Sequence, residues 1–193
     1  MGAADDAPIL TIRSRAELRA WLADHHRDPG PIWLASFKKH HPDYLGATGP
    51  ITEELLCWGW IDSVVRALDE DRSMILIAPR NPKSAWSAVN KALVERARAS
   101  GAMTPAGEAK VATAQANGMW DFLNDVEALL EPPDLIAALS GKAAEVWAAQ
   151  PRSVKRGTLE WIKTARTEAT RAARIAEVAD SAALGLRPKL FRR

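Results

Sequence analysis

Cysteine is nearly missing. Cys57 is the one thiol in 193 residues, which excludes an internal disulfide and any zinc or iron–sulfur centre held by several cysteines. Its neighbours Leu55, Leu56 and Trp58 mark it as a small buried thiol and not a nucleophile. No stretch approaches the ~20 apolar residues of a membrane span. The opening Met-Gly-Ala-Ala-Asp-Asp carries acids where an export leader carries basic residues before an apolar run, so the expectation is a cytoplasmic chain without a membrane span. Gly-x-Gly-x-x-Gly, a Gly-Lys-Ser/Thr phosphate loop and a Gly-x-Ser-x-Gly elbow are all lacking, and no cofactor is expected. The histidines form two adjacent pairs, His25-His26 and His40-His41. Neighbouring positions diverge on a helix and oppose each other on a strand, so neither pair is a chelate and no metal is expected.

Two features stand out among what is present. Tryptophan occurs eight times against one tyrosine and three phenylalanines, and indoles fill cores or grip flat apolar ligands. Trp21, Trp33, Trp147 and Trp161 sit at regular apolar positions and read as core. Net charge is only +2, but residues 152–193 hold 11 Lys/Arg against 4 Asp/Glu. That tail suits a phosphate-rich partner such as nucleic acid, and equally a solvated helical face.

Patterning predicts an α+β fold: a small, mainly antiparallel sheet with packed helices, followed by a helical carboxy-terminal region. A strand is expected over Ile9–Arg13. Ser14 and Glu17 then form a capping box for a helix to about His26. Further strands are expected over Ile32–Phe37, Trp60–Ala67 and Ser73–Ala78, the last two as a hairpin. Helices are expected from Thr52 to near Gly59, from a Ser84 cap to about Ala99, and from the Thr104-Pro105 start to Asn117-Gly118. The remainder reads as helical, with one long stretch from Ser153 to about Leu184. Residues 1–131 are expected as the α+β domain and 132–193 as a helical region docked on it.

Three strings carry candidate chemistry. In Cys57-Trp-Gly-Trp-Ile-Asp-Ser63 a helix end and a glycine lie beside two indoles, and strand alternation sets Trp60 and Asp62 on one face. Asp62 suits a general base, a cation ligand, or a cap or turn acceptor. In Pro79-Arg-Asn-Pro-Lys-Ser-Ala-Trp-Ser-Ala-Val-Asn90, Arg80 and Lys83 precede an expected helix start at Ser84, which makes an anion site. Helical spacing would place Trp86, Asn90 and Leu93 on one inward face, with Asn90 either stitching a loop or lining a polar pocket. The candidate pocket is therefore Trp58, Trp60, Asp62, Arg80, Lys83, Ser84, Trp86 and Asn90. In the tail, Arg171 and Arg174 are placed to reach the acidic loop around Asp69, a ligand phosphate, or solvent.

Taken in order, several strings resemble the bacteriocin-protection, YdeI/OmpD-associated family. They are Glu17-Leu-Arg-Ala-Trp-Leu22, Trp33 with Lys38-Lys39, Cys57-Trp-Gly-Trp-Ile-Asp62, and Pro79-Arg-x-x-Lys-Ser-x-Trp-Ser-x-x-Asn90. Met103-Thr-Pro-Ala-Gly107, Asn117-Gly-x-Trp120, and Trp161-Ile with Thr170-Arg171 complete the set. Arg166 and Ala169 depart from the family's tail pattern. The resemblance implies a YdhG/YjbR-like α+β amino-terminal part, an OmdA-like helical segment, an association with tolerance of bacteriocins or antimicrobial peptides, a porin as protein partner, and no established reaction. The expected function is an accessory or stress-tolerance protein that binds a small molecule or peptide through the Trp-lined pocket. Two alternatives stand beside it: a small-molecule enzyme with Asp62 as general acid or base, and a nucleic-acid binder using the basic tail.

Overall fold

The computed structural model describes residues 6–45 and 49–192. The leader reading at residues 1–5 lies outside them. The chain forms two compact units, one up to Phe122 and one from Leu123 onward.

In the first unit, local signals set the elements. Ser14 Oγ accepts from Glu17 N at 3.1 Å and starts α1 (Arg15–His25), while Glu17 reaches back to Arg13 N at 2.7 Å. The box thus closes one residue earlier than its usual form. The strands β1 (Ile9–Thr11) and β2 (Ile32–Phe37) flank α1 and pair in parallel. The hairpin strands β3 (Trp60–Ala67) and β4 (Arg72–Pro79) are joined by a turn in which Asp69 Oδ1 accepts from Asp71 N and Arg72 N. Such a carboxylate-capped turn is why an acidic, polar loop closes the hairpin. Strand order is β1-β2-β4-β3, antiparallel in its last two pairings, with an irregularity between Asp62 and Val65. The expected α+β class and mainly antiparallel sheet are found.

Helix α2 (Gly49–Cys57) begins ahead of the expected Thr52, with Pro50 in its first turn, where a missing N–H costs nothing. It lays Ile51 and Leu55 into a core with Leu18, Leu22, Leu34, Trp60, Ile75 and Ile77. Its other side, through Leu56, meets Trp86, Leu93, Val94, Val111 and Ala114. The last five come from the approach to and body of α3 (Ala88–Ala99) and from α4 (Pro105–Ala116). Gly107 makes the α2–α4 approach possible: a Cβ there would lie 2.4 Å from the Cys57 carbonyl oxygen.

One start signal differs from expectation. Ser87, not Ser84, caps α3, its Oγ accepting from Asn90 N at 3.2 Å. Asn81 and Pro82 hold residues 81–84 in a turn, with Ser84 N bonded to Asn81 O and Lys83 N to Asn81 Oδ1. Trp86 N donates to Met119 O, which keeps that segment out of the helix. Trp86 therefore precedes α3 and shares no helical face with Asn90.

The second unit contains α5 (Asn124–Glu127), α6 (Pro133–Ala138), α7 (Lys142–Ala148), α8 (Arg152–Lys163), α9 (Glu168–Ala183) and a 3-10 turn at Lys189–Phe191. The long stretch from Ser153 to about Leu184, expected as helical, is two helices. Thr167 Oγ1 accepts from Thr170 N at 3.1 Å and starts α9 afresh, and α9 then packs on α6, α7 and α8. An unbroken helix could not fold α9 back onto α8, the arrangement in which Ile175 and Val178 of α9 and Leu159 and Ile162 of α8 are buried.

Candidate functional site

The structure brings Arg80, Trp86 and Asp62 near one another but does not gather the eight predicted residues around one opening. Trp60 is 1% exposed in the first core cluster, and Trp86, also 1% exposed, lies in the second. Lys83 is exposed on the 81–84 turn, and Ser84 and Asn90 are half-buried. Asp62 is half-buried on β3 opposite Ile77. Arg80, expected to face an anion, is 2% exposed. It donates from Nη2 to Ala85 O at 2.6 Å and lies 3.7 Å from the centre of the Trp86 ring. Its Nε and Nη1 are buried without a hydrogen-bond partner. Burial pushes its pKa down to about 10, against the pull of Asp62. A desolvated guanidinium stacked on an indole is a packing element, and the sealing of Arg80 and Trp86 corrects their assignment to an open site.

Trp58 is the member that reaches a cavity. A cleft of about 940 Å³ is lined by Trp58 together with His26, Arg27, Asp28, Pro29, Pro79, Met103, Thr104, Pro105, Ala106 and Lys110. The end of α1 and the turn after it supply one wall, the α2–β3 junction the second and the start of α4 the third. Gly59 has φ +74°, the left-handed region, and turns the chain between Trp58 and Trp60. Its missing side chain also makes room for the Lys110 stem, whose Cγ would lie 2.7 Å from a Cβ there. Thr104 pins the third wall: Oγ1 donates to Cys57 O at 2.6 Å and accepts from Gly107 N at 3.4 Å.

The cleft is both apolar and cationic. Trp58 and His26 rings lie 5.0 Å apart, and Pro29, Pro79, Met103 and Pro105 add apolar surface. Arg27 and Lys110 form no ion pair among the described residues, and Thr104, Pro105 and Ala106 at the start of α4 line the same space. Asp28 is the one carboxylate on the lining. The arrangement suits an organic anion with a flat apolar portion. Cys57, buried beneath it, has its thiol pKa raised by burial and by the neighbouring Glu54, so it offers no thiolate.

Behind Trp58 stands a carboxylate pair. Glu53 and Glu54 are buried on α2; Glu54 accepts from Arg15 Nε and Arg19 Nη1, each at 2.7 Å, and from Trp58 Nε1 at 3.2 Å. Glu53 is held by Arg15 Nη2 at 2.8 Å and by Arg96 Nε. Burial alone would raise the Glu53 pKa, but the two guanidiniums hold it below its ordinary value. Arg27, Lys110 and the Glu53–Glu54 network were not singled out by sequence reading. Arg27 sits in what reads as a turn, Lys110 in what reads as an ordinary helix, and two glutamates near a helix start read as first-turn acids.

In the second unit the expected basic face is engaged internally. Arg171 forms a two-point pair with Asp134, at 2.7 and 2.9 Å, and Arg174 donates to Trp161 O and lies 4.9 Å from that ring's centre. Lys163 bonds Asp125 at 2.6 Å, and Arg156 bonds Glu127 and Glu160. Among the described residues no group of three or more His, Cys, Asp or Glu is placed to hold a metal, and no helix is long and apolar enough to cross a membrane.

Comparison with known families agrees with the division into two parts. The chain belongs to the family described as a domain of unknown function, DUF8412, whose model matches residues 10–110. Residues 129–185 match the family Bacteriocin-protection, YdeI or OmpD-Associated, as the resemblance in the sequence indicates. For the amino-terminal part, expected to be YdhG/YjbR-like, the match found is DUF8412. No curated protein and no solved structure matches the chain.

Proposed function

We propose that the amino-terminal unit is a binding module for a small organic anion with a flat apolar portion, and that this binding serves a role associated with bacteriocin protection. The observation that carries the reading is the convergence of Trp58, Arg27 and Lys110 on one cleft, with neither cation ion-paired among the described residues. An indole wall supplies apolar area and two cations supply the charge that fixes orientation. Binding is favoured over catalysis because the thiol is sealed and the one hydroxyl on the lining, Thr104 Oγ1, donates to Cys57 O, so neither a thiol nor a free hydroxyl stands beside His26 in the cleft. The match to the YdeI or OmpD-associated family supports the wider role.

Calorimetric titration with naphthalene-2-sulfonate tests the module. Saturable one-to-one binding is expected, weakened about fivefold or more by Trp58→Ala and by Lys110→Met and unchanged by Arg171→Ala. Absence of binding at millimolar probe, or equal affinity in all variants, would refute it.

A further inference from the structure

A second hollow of about 400 Å³ adjoins the first. It shares Asp28 and Pro29 with the first cleft, so the Asp28–Pro29 turn is a common wall. Its other walls are Trp21 and His25 from α1, Trp60 from β3, and Ile9 at the edge of the sheet. No lysine or arginine lines it.

The walls are flat and fixed. Trp21 and His25 stack face to face, 4.5 Å between centres and 3° between planes, and Trp21 meets Trp60 edge-on at 5.7 Å. Trp60 Nε1 donates to His26 O at 3.0 Å, and His25 Nδ1 lies 2.8 Å from Trp21 O, so hydrogen bonds lock both rings. Prolines 8, 29 and 31 stiffen the rim. A rigid hollow walled by aromatic rings favours a planar ring over a flexible chain, because ring contacts gain stacking as well as buried area and little side-chain freedom is lost.

We infer that this hollow is the ring subsite of the same ligand: the anionic group sits at Arg27 and Lys110, and the aromatic portion runs from the Trp58 wall past Asp28–Pro29 to lie against Trp21, His25 and Ile9. The inference rests on the anion-binding reading of the first cleft and narrows its ligand class to aryl anions.

Two probes separate the parts. Naphthalene-2-sulfonate carries head and ring, and methanesulfonate carries the head alone. Ile9 is 53% exposed and lines only the second hollow, so Ile9→Gln should fold normally. It is expected to weaken naphthalene-2-sulfonate about fivefold and leave methanesulfonate unchanged in NMR titration. The Trp21 indole N–H signal should move with the aryl probe only. If Lys110→Met weakens both probes while Ile9→Gln alters neither, the anion cleft stands and the ring subsite is overturned. If Ile9→Gln weakens both probes equally, the ring subsite is again overturned. If Lys110→Met changes neither probe, the first-cleft reading fails and takes the shared-ligand inference with it.

Discussion

The Trp58 indole N–H donates to Glu54 Oε1 at 3.2 Å across one turn at the end of α2, and the same oxygen accepts from Arg19 Nη1 at 2.7 Å. The cleft wall is thereby tied to a buried carboxylate, itself 1% exposed, that two arginines neutralise. The bond adds a fixed polar anchor to an indole already packed on the first core cluster and beside His26.

Glu54→Gln keeps an oxygen for the indole but removes the charge. Arg15 and Arg19 are each 39% exposed and regain water, so the loss is expected to be about 1–2 kcal/mol and not the larger cost of a sealed pair. Thermal unfolding should show a Tm lowered by roughly 2–8 °C. An unchanged Tm would show that the carboxylate charge contributes nothing.

Acid sensitivity follows from Glu53. Its folded pKa lies below the ordinary 4.5, so its pairing with Arg15 and Arg96 contributes stability that is fully present above that value and is lost as pH falls through the folded pKa. Unfolding followed from pH 6 downward should show a steep decline below about pH 4.5, and Glu53→Gln should be less stable at pH 6 yet flatter in that limb. Parallel curves for the two proteins would contradict this assignment.

Arg80→Met removes two buried nitrogens, Nε and Nη1, that lack acceptors, each costing about 1–3 kcal/mol, along with one bond to Ala85 O and one stacking contact with Trp86. These effects nearly cancel, so the Tm should stay within a few degrees of the parent or rise. A fall beyond about 10 °C would mean that the guanidinium is a required structural donor.

Gly107→Ala should be severe. The added methyl would meet the backbone oxygens of Cys57 at 2.4 Å and Leu56 at 2.6 Å, neither of which is a flexible end. A loss of about 3 kcal/mol or more is expected in urea unfolding, together with weaker probe binding as α4 is pushed from α2. A loss under 1 kcal/mol would show that the two helices separate easily.

Much of the fold was legible because the signals are local. Ser14 with Glu17, and Thr104 before Pro105, each start a helix with side chains at fixed offsets. The runs Ile32–Phe37 and Trp60–Ala67 lie between turn residues and became β2 and β3. Ser84 and Ser87 show where legibility stops: each is a serine ahead of helix-compatible residues. The choice between them is made by Trp86 N bonding Met119 O, a partner far along the chain. The same holds at residues 164–167, where alanine spacing suggests continuity and the Thr167 cap divides it.

For the site, residue types carried part of the answer. Two tryptophans around Gly59 and a positive-φ turn followed from composition and spacing, and Trp58 does face a cleft. Which indole faced it did not follow, since Trp58 and Trp60 differ only in which side of the turn they take. Sequence by itself determined most of the elements and the buried thiol, because caps and alternation act over a few residues, whereas the close approach of α4 to α2 at Gly107 is a contact between distant segments. Tertiary structure alone decided that Arg27 and Lys110 share a cleft with Trp58 while Arg80 is sealed beside Trp86. Cleft membership depends on contacts between distant segments, and no local pattern records those.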